Sequence, residues 1–218
     1  LRANVFKGSR YWGYTCDLAA GTCEAKITRP LSEWASDVQG SFQGGTSGLP
    51  TDSIDAFAQY MLANGKLRVA VAKGPTFLVY DCTYQPGTAI VTSCDAKISR
   101  TMTQAFSFIT DPNGTWTGIP IPTNGFDSLD QWIQPDGTLR TQIYKDNRYW
   151  AYLCDIAANG DVSNCLARGT ATLDATSSIT DASTVWAGAG FPFPITKQDA
   201  WTVYMTGTNT LRANAYRG

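Results

Sequence analysis

Leu139-Arg-Thr-Gln-Ile-Tyr-Lys145, then Asp146-Asn147, then Tyr149-Trp-Ala-Tyr152-Leu-Cys154 decides the fold, because the chain carries the same passage elsewhere. Its counterparts are Leu1-Arg-Ala-Asn-Val-Phe-Lys7 with Tyr11-Trp-Gly-Tyr14-Thr-Cys16, and Leu67-Arg-Val-Ala-Val-Ala-Lys73 with Phe77-Leu-Val-Tyr80-Asp-Cys82. A fourth copy opens at Leu211-Arg212 and holds only its first strand. An internal repeat constrains the architecture before any local feature is weighed. Apolar residues alternate along the first segment of each copy, which is the period of a strand. The second segment is aromatic and β-branched, as a buried strand is. Gly8, Gly74 and Asp146-Asn147 mark the turns between the two.

Each copy then reaches a second cysteine that opens a third strand: Cys23-Glu-Ala-Lys26, Cys94-Asp-Ala-Lys97 and Cys165-Leu-Ala-Arg168. The six cysteines thus fall two per repeat, which predicts the disulfides Cys16–Cys23, Cys82–Cys94 and Cys154–Cys165 across a hairpin. Zinc would need tighter cysteine spacing or histidine, and the chain has no histidine. Closing loops this short contributes roughly 2–3 kcal/mol each. Disulfides in turn place the protein in an oxidising compartment.

A long polar stretch follows, with an aromatic island at Phe42, Trp116 or Trp186 and a closing proline at Pro50, Pro122 or Pro194. Five residues later stands Asp55, Asp127 or Asp199, and a fourth strand runs from there to the next Leu-Arg. Asn64-Gly65 and Asp136-Gly137 turn this strand into that one, and such dipeptides are strong hairpin signals. Counting outward from the turns sets Asp55 near Lys73, Asp127 near Lys145 and Asp199 near Arg217, as cross-strand ion pairs.

The expected fold is therefore all-β. It is a single domain over 1–218 made of three tandem four-stranded repeats (1–66, 67–138 and 139–210), each stapled by one disulfide, with a surplus strand at 211–218. An approximately threefold arrangement, propeller-, prism- or barrel-like, accommodates four strands per repeat. The strands opened by Leu1-Arg2 and Leu211-Arg212 are near-duplicates and compete for one kind of place. They are candidate assembly strands, because an exposed edge invites a strand from another molecule.

Composition narrows the function. A net charge of −1 with 16% charged residues offers no basic field to nucleic acid. No apolar run is long enough to span a bilayer as a helix. The start at Leu1 reads as a processed terminus, so the expected location is secreted, extracellular or at the cell surface. Without histidine the commonest general base is missing, and no nucleophile elbow, phosphate loop or dinucleotide fingerprint is present. Asp17 and Asp155 follow the first cysteine in two repeats, where aspartate normally forms turns. Asp111, Asn113 and Thr115 alternate oxygen ligands without the rest of a calcium loop, while Asn113-Gly114-Thr115 is a glycosylation sequon. No cofactor or metal is expected.

Binding has more to work with. Arg10-Tyr11-Trp12 recurs as Arg148-Tyr149-Trp150, whereas the second repeat reads Thr76-Phe77-Leu78. A tryptophan beside an arginine suits a sugar, with the ring stacking and the guanidinium bonding hydroxyls. The competing reading puts Trp12 and Trp150 in the core, where Leu78 replaces them. Trp34, Trp116 and Trp186 near the long loops are further contact candidates. The leading expectation is a secreted, non-catalytic carbohydrate-binding protein whose partner is a glycan. Its rival is a subunit of an extracellular filament, coat or surface layer whose partner is itself. A polysaccharide hydrolase comes third, since such an enzyme needs only two suitably spaced carboxylates.

Overall fold

A computed structural model describes residues 2–17, 19–40, 48–85, 90–172, 200–207 and 210–216. The first repeat gives β1 (Arg2–Lys7), β2 (Arg10–Asp17) and β3 (Thr22–Pro30), a three-stranded antiparallel sheet in the order β1-β2-β3. Helix α1 (Leu31–Asp37) and the short β4 (Val38–Gln39) lead to β5 (Ala56–Met61), the last strand of the first repeat. The second sheet joins β5 to β6 (Leu67–Lys73), β7 (Thr76–Gln85) and β8 (Ile90–Thr101) of the second repeat, so this sheet straddles a repeat boundary, and β4 adds in parallel on the outer side of β8. Helix α2 (Met102–Phe106) follows. The third sheet is β9 (Ser128–Ile133), β10 (Leu139–Lys145), β11 (Arg148–Ile156) and β12 (Val162–Thr172). A fourth, two-stranded sheet is β13 (Ala200–Gly207) with β14 (Thr210–Tyr216). The protein is thus mostly β, and its described strands form no closed barrel.

Equivalent strands pair in equivalent registers. Leu67 lies opposite Cys82 and Lys73 opposite Thr76; Leu139 lies opposite Cys154 and Lys145 opposite Arg148; Arg2 lies opposite Thr15 and Lys7 opposite Arg10. The preceding hairpins match too, with Ala56 opposite Ala72, Ser128 opposite Tyr144 and Ala200 opposite Tyr216. A β-bulge falls immediately before Tyr14, Tyr80 and Tyr152 in turn. All three predicted disulfides form, with Cα atoms 4.0, 3.9 and 4.1 Å apart across the second hairpin of each repeat.

The turns follow from their residues. The first turn residue after the Leu-Arg strand has a positive φ in every copy: 55° at Gly8, 51° at Gly74 and 54° at Asp146. Glycine takes that conformation freely, and aspartate is among the few others that tolerate it. Gly65 and Gly137, at φ 80° and 85°, close three-residue hairpin loops in which the amides of Leu62 and Gln134 donate to the carbonyls of Lys66 and Thr138.

The predicted aspartates do more than pair with lysine. Lys145 Nζ lies 3.1 Å from Asp127, and Lys73 Nζ lies 3.9 Å from Asp55. The second carboxylate oxygen of each accepts the amide of the positive-φ turn residue, Asp146 at 2.6 Å and Gly74 at 2.7 Å. The aspartate at the open end of one hairpin therefore caps the turn of the next. The third predicted pair, Asp199–Arg217, lies outside the described residues.

Packing places the sheets face to face. Along β6, Leu67, Val69 and Val71 enter one core with Tyr11, Leu31 and Trp34 of the first repeat. Ala70 and Ala72 enter a second core with Leu129, Leu139, Ile143 and Tyr152 of the third sheet. The second sheet is thus buried on both faces, which is why β6 reads as a nearly continuous apolar run. Each helix seals one of these interfaces, α1 through Leu31 and Trp34 and α2 through Met102, Ala105 and Phe106. Strand β9 neighbours both β5 and β13.

Replacing Asp127 with alanine removes a charged acceptor from the Asp146 amide and is expected to cost about 1–2 kcal/mol. Lys145→Met should cost under about 0.5 kcal/mol, because the ion pair is partly exposed. Urea unfolding with the disulfides intact measures both; equal losses would mean that the ion pair, not the turn cap, is the stabilising contact.

Candidate functional site

The tryptophans proposed from the sequence go to different places. Trp150 is core, 6% exposed, and its indole Nε1 donates to the Ile119 carbonyl at 3.0 Å. A ring so enclosed cannot stack on a sugar, and its buried N–H has found the carbonyl it needs. Trp34 is equally enclosed on α1, at 6%. Trp116 is half-buried, donates from Nε1 to the Gly169 carbonyl at 3.1 Å and meets Tyr152 edge-on. Asp111 holds that loop by accepting the amides of Thr115 and Trp116, both at 2.7 Å. Its carboxylate oxygens are thus taken up in a turn, and among the described residues no group of three or more acidic or cysteine side chains is placed to hold a metal. Asn113 of the sequon is exposed. Trp186 and Leu1 lie outside the described residues. Arg2, Leu211 and Arg212 stand on β1 and β14.

Trp12 and Arg10 differ from their third-repeat counterparts. Trp12 is half-buried, and Arg10 is exposed with one long bond from Nη2 to Thr28 Oγ1 at 3.4 Å. Two residues apart on β2, they share the sheet face that points away from the second sheet. Arg148 is half-buried, on the third sheet beyond the second, so the paired motifs do not converge on one site.

That outward face of the first sheet is the main departure from the repeat. In the second sheet, Val71, Leu78, Tyr80, Cys82 and Cys94 are all 0% exposed. In the third sheet their equivalents Ile143, Trp150, Tyr152, Cys154 and Cys165 are 0–6% exposed. In the first sheet, Cys16 is buried at 8%, but Val5 is 52% exposed, Trp12 and Tyr14 are half-buried, and Cys23 is exposed. A shallow open depression of about 640 Å³ lies at its end, against the Cys16–Cys23 disulfide, Asp17 and Glu24. The cysteine-bearing face of the second sheet is covered by the first sheet, and that of the third sheet by the second. The cysteine-bearing face of the first sheet is uncovered among the described residues.

A second feature ties repeats together, and the sequence reading did not single it out. Arg68 lies opposite Asp81 in the β6–β7 register, and their side chains are 8% and 4% exposed. The guanidinium donates from Nε to Asp81 Oδ1 at 2.5 Å and from Nη2 to Oδ2 at 2.9 Å, the two-pronged geometry that arginine favours. It also donates from Nη1 to the Gly160 carbonyl and from Nη2 to the Asn159 carbonyl, in the β11–β12 turn of the next sheet. A Cβ at Gly160 would crowd the Arg68 guanidinium, and φ there is 86°, a conformation that favours glycine. Burial opposes the arginine's charge, but Asp81 and Tyr60 together more than offset this and its pKa rises. Burial pushes the neighbouring Tyr60 hydroxyl up to about 12. The same count that paired Asp55 with Lys73, carried into the next hairpin, would have set Arg68 against Asp81.

The third sheet repeats the arginine without its carboxylate. Arg140 faces Leu153 in the equivalent register, and its guanidinium sits 6.0 Å from the centre of the Trp132 ring. Its pKa falls, chiefly through burial.

No protein-family profile matches the chain, and no curated protein matches its sequence.

Asp81→Ala leaves a buried guanidinium with carbonyl partners alone and is expected to destabilise the protein by about 3–5 kcal/mol. Replacing Arg68 and Asp81 together by leucine should cost much less, because no unmatched charge remains. Denaturant unfolding of the single and double variants measures this; an additive double loss would show that the pair is not energetically coupled.

Proposed function

We propose that this chain is a non-catalytic structural subunit of an extracellular assembly, and that it associates with itself through the uncovered face of its first sheet. The observation that carries this reading is the contrast at Val5, 52% exposed where Val71 and Ile143 are 0% exposed. An apolar sheet face with two buried equivalents in the same chain is built to be covered. The three disulfides suit an oxidising compartment, and no helix of the described residues is long and apolar enough to cross a membrane. On this reading the repeats form a propeller-like succession of sheets, and the threefold closure expected from the sequence gives way to continuation into another copy.

Carbohydrate binding keeps one supporting observation, that Arg10 and Trp12 share the same outward face. The two readings therefore compete for one surface. That Trp150 is 6% exposed, and that Trp116 is half-buried with its Nε1 bonded to the Gly169 carbonyl, supports the structural-subunit reading over one built on repeated aromatic sites.

Val5→Asp places a charge in the proposed contact and should weaken self-association at least about tenfold, equivalent to roughly 1.4 kcal/mol. Trp12→Ala should do the same without creating or abolishing binding on a glycan array. Sedimentation equilibrium measures the first effect. A chain that stays monomeric at all concentrations, or one whose glycan binding vanishes with Trp12, overturns the structural-subunit reading.

A further inference from the structure

Asn113-Gly114-Thr115 is the one Asn-x-Ser/Thr triplet in the chain, and neither the fold nor the proposed assembly uses it. We infer that Asn113 is a modification site: its side-chain amide takes an N-linked oligosaccharide, which the folded protein carries on the loop between α2 and β9.

Other asparagines spend their amides inside the fold. Asn4, Asn159 and Asn164 each donate from Nδ2 at 2.8 Å, to Gln59, Asp161 and Asp155. A sugar on any of them would cost a bond that the fold uses. Asn113 is exposed, and its side chain has no hydrogen-bond partner among the described residues.

The backbone around it forms a tight corner. The Gly114 amide donates to the Asp111 carbonyl at 3.2 Å, and the Thr117 amide to the Gly114 carbonyl at 3.0 Å. Asp111 accepts the amides of Thr115 and Trp116 with its two carboxylate oxygens. Asp111 and Thr115 are half-buried, while Pro112, Asn113 and Gly114 between them are exposed. The loop is tied to the third sheet on either side of the corner. Thr110 exchanges backbone bonds with Cys165 and Ala167, and Trp116 Nε1 donates to Gly169. None of these contacts uses Asn113, so a bulky group added at Nδ2 displaces none of them.

The chemistry asks for three things, and each is on the chain. The middle residue is glycine, not the excluded proline, and the hydroxyl residue is threonine. The disulfides suit an oxidising compartment, the setting in which secreted chains receive such glycans. In the transfer, Asn113 Nδ2 forms a bond to the anomeric carbon of a sugar carried on a polyprenyl diphosphate. The bond from that carbon to the phosphate oxygen breaks, the polyprenyl diphosphate leaves as the anion, and the amide proton passes to a base of the transferase. Nothing is oxidised or reduced.

The loop packs through Ile109, Trp116 and Ile121 on the core between the second and third sheets. The first sheet contributes to the other core. A glycan at Asn113 and association through the Val5 face therefore use different parts of the molecule.

The test secretes the full chain, behind a cleavable leader, from a eukaryotic cell line. Intact mass is measured before and after an amidase that cleaves the glycan–asparagine bond in heavy-oxygen water. The expected result is a glycan mass lost on treatment, with a heavy-oxygen aspartate left at position 113. The label matters because asparagine before glycine also deamidates spontaneously, without the label. Thr115→Ala should lower occupancy at least about tenfold, and Thr115→Ser should keep the glycan. Asn113→Gln should remove it and leave the urea midpoint of the deglycosylated protein unchanged, because the side chain holds nothing. Translation into microsomes reads the same mass shift if a variant is not secreted. A disulfide-bonded chain with position 113 unmodified, or a glycan that persists in Thr115→Ala, overturns the inference and leaves the self-association reading standing.

Discussion

A sheet that is apolar on both faces needs a layer on each, and the second sheet meets that need by lying between the first and the third. Its β6 residues alternate between two cores, Leu67, Val69 and Val71 on one side and Ala70 and Ala72 on the other. Everything else in the arrangement depends on this double burial. It requires consecutive repeats to stack in a constant sense, each presenting its cysteine-bearing face to the repeat before it. A constant sense leaves two unlike ends, and they are the places where the molecule departs from its own pattern. At one end Val5 is exposed. At the other, Tyr149 and Leu153 are half-buried.

The polar devices within the repeats bear on that stacking. The Cys82–Cys94 and Cys154–Cys165 disulfides pin the hairpins that lie against the previous sheet, so the packed face keeps its shape. Asp55 and Asp127 fix the turns at one end of their sheets. Arg68 works at the other end, where it reaches past Asp81 to the backbone of the next sheet. A buried ion pair is a weak source of net stability, since desolvation cancels much of the attraction. It is better suited to specifying which turn may sit there, and the space that Arg68 takes beside Gly160 is that kind of constraint.

Much of this was legible in the chain, and the parts that were not share a cause. Strand order within a repeat, the disulfides and the Asp55–Lys73 and Asp127–Lys145 pairs are local, and period and spacing reach them. The short helices were missed because five or seven residues carry too little periodicity. The capping box in which Thr101 and Gln104 bond each other's amides was their one readable signal. Trp150 stayed open to two readings because burial depends on the neighbouring sheet, which local spacing does not contain. The loss of Trp in the second repeat has a packing account: Leu78 and Trp150 occupy equivalent buried positions.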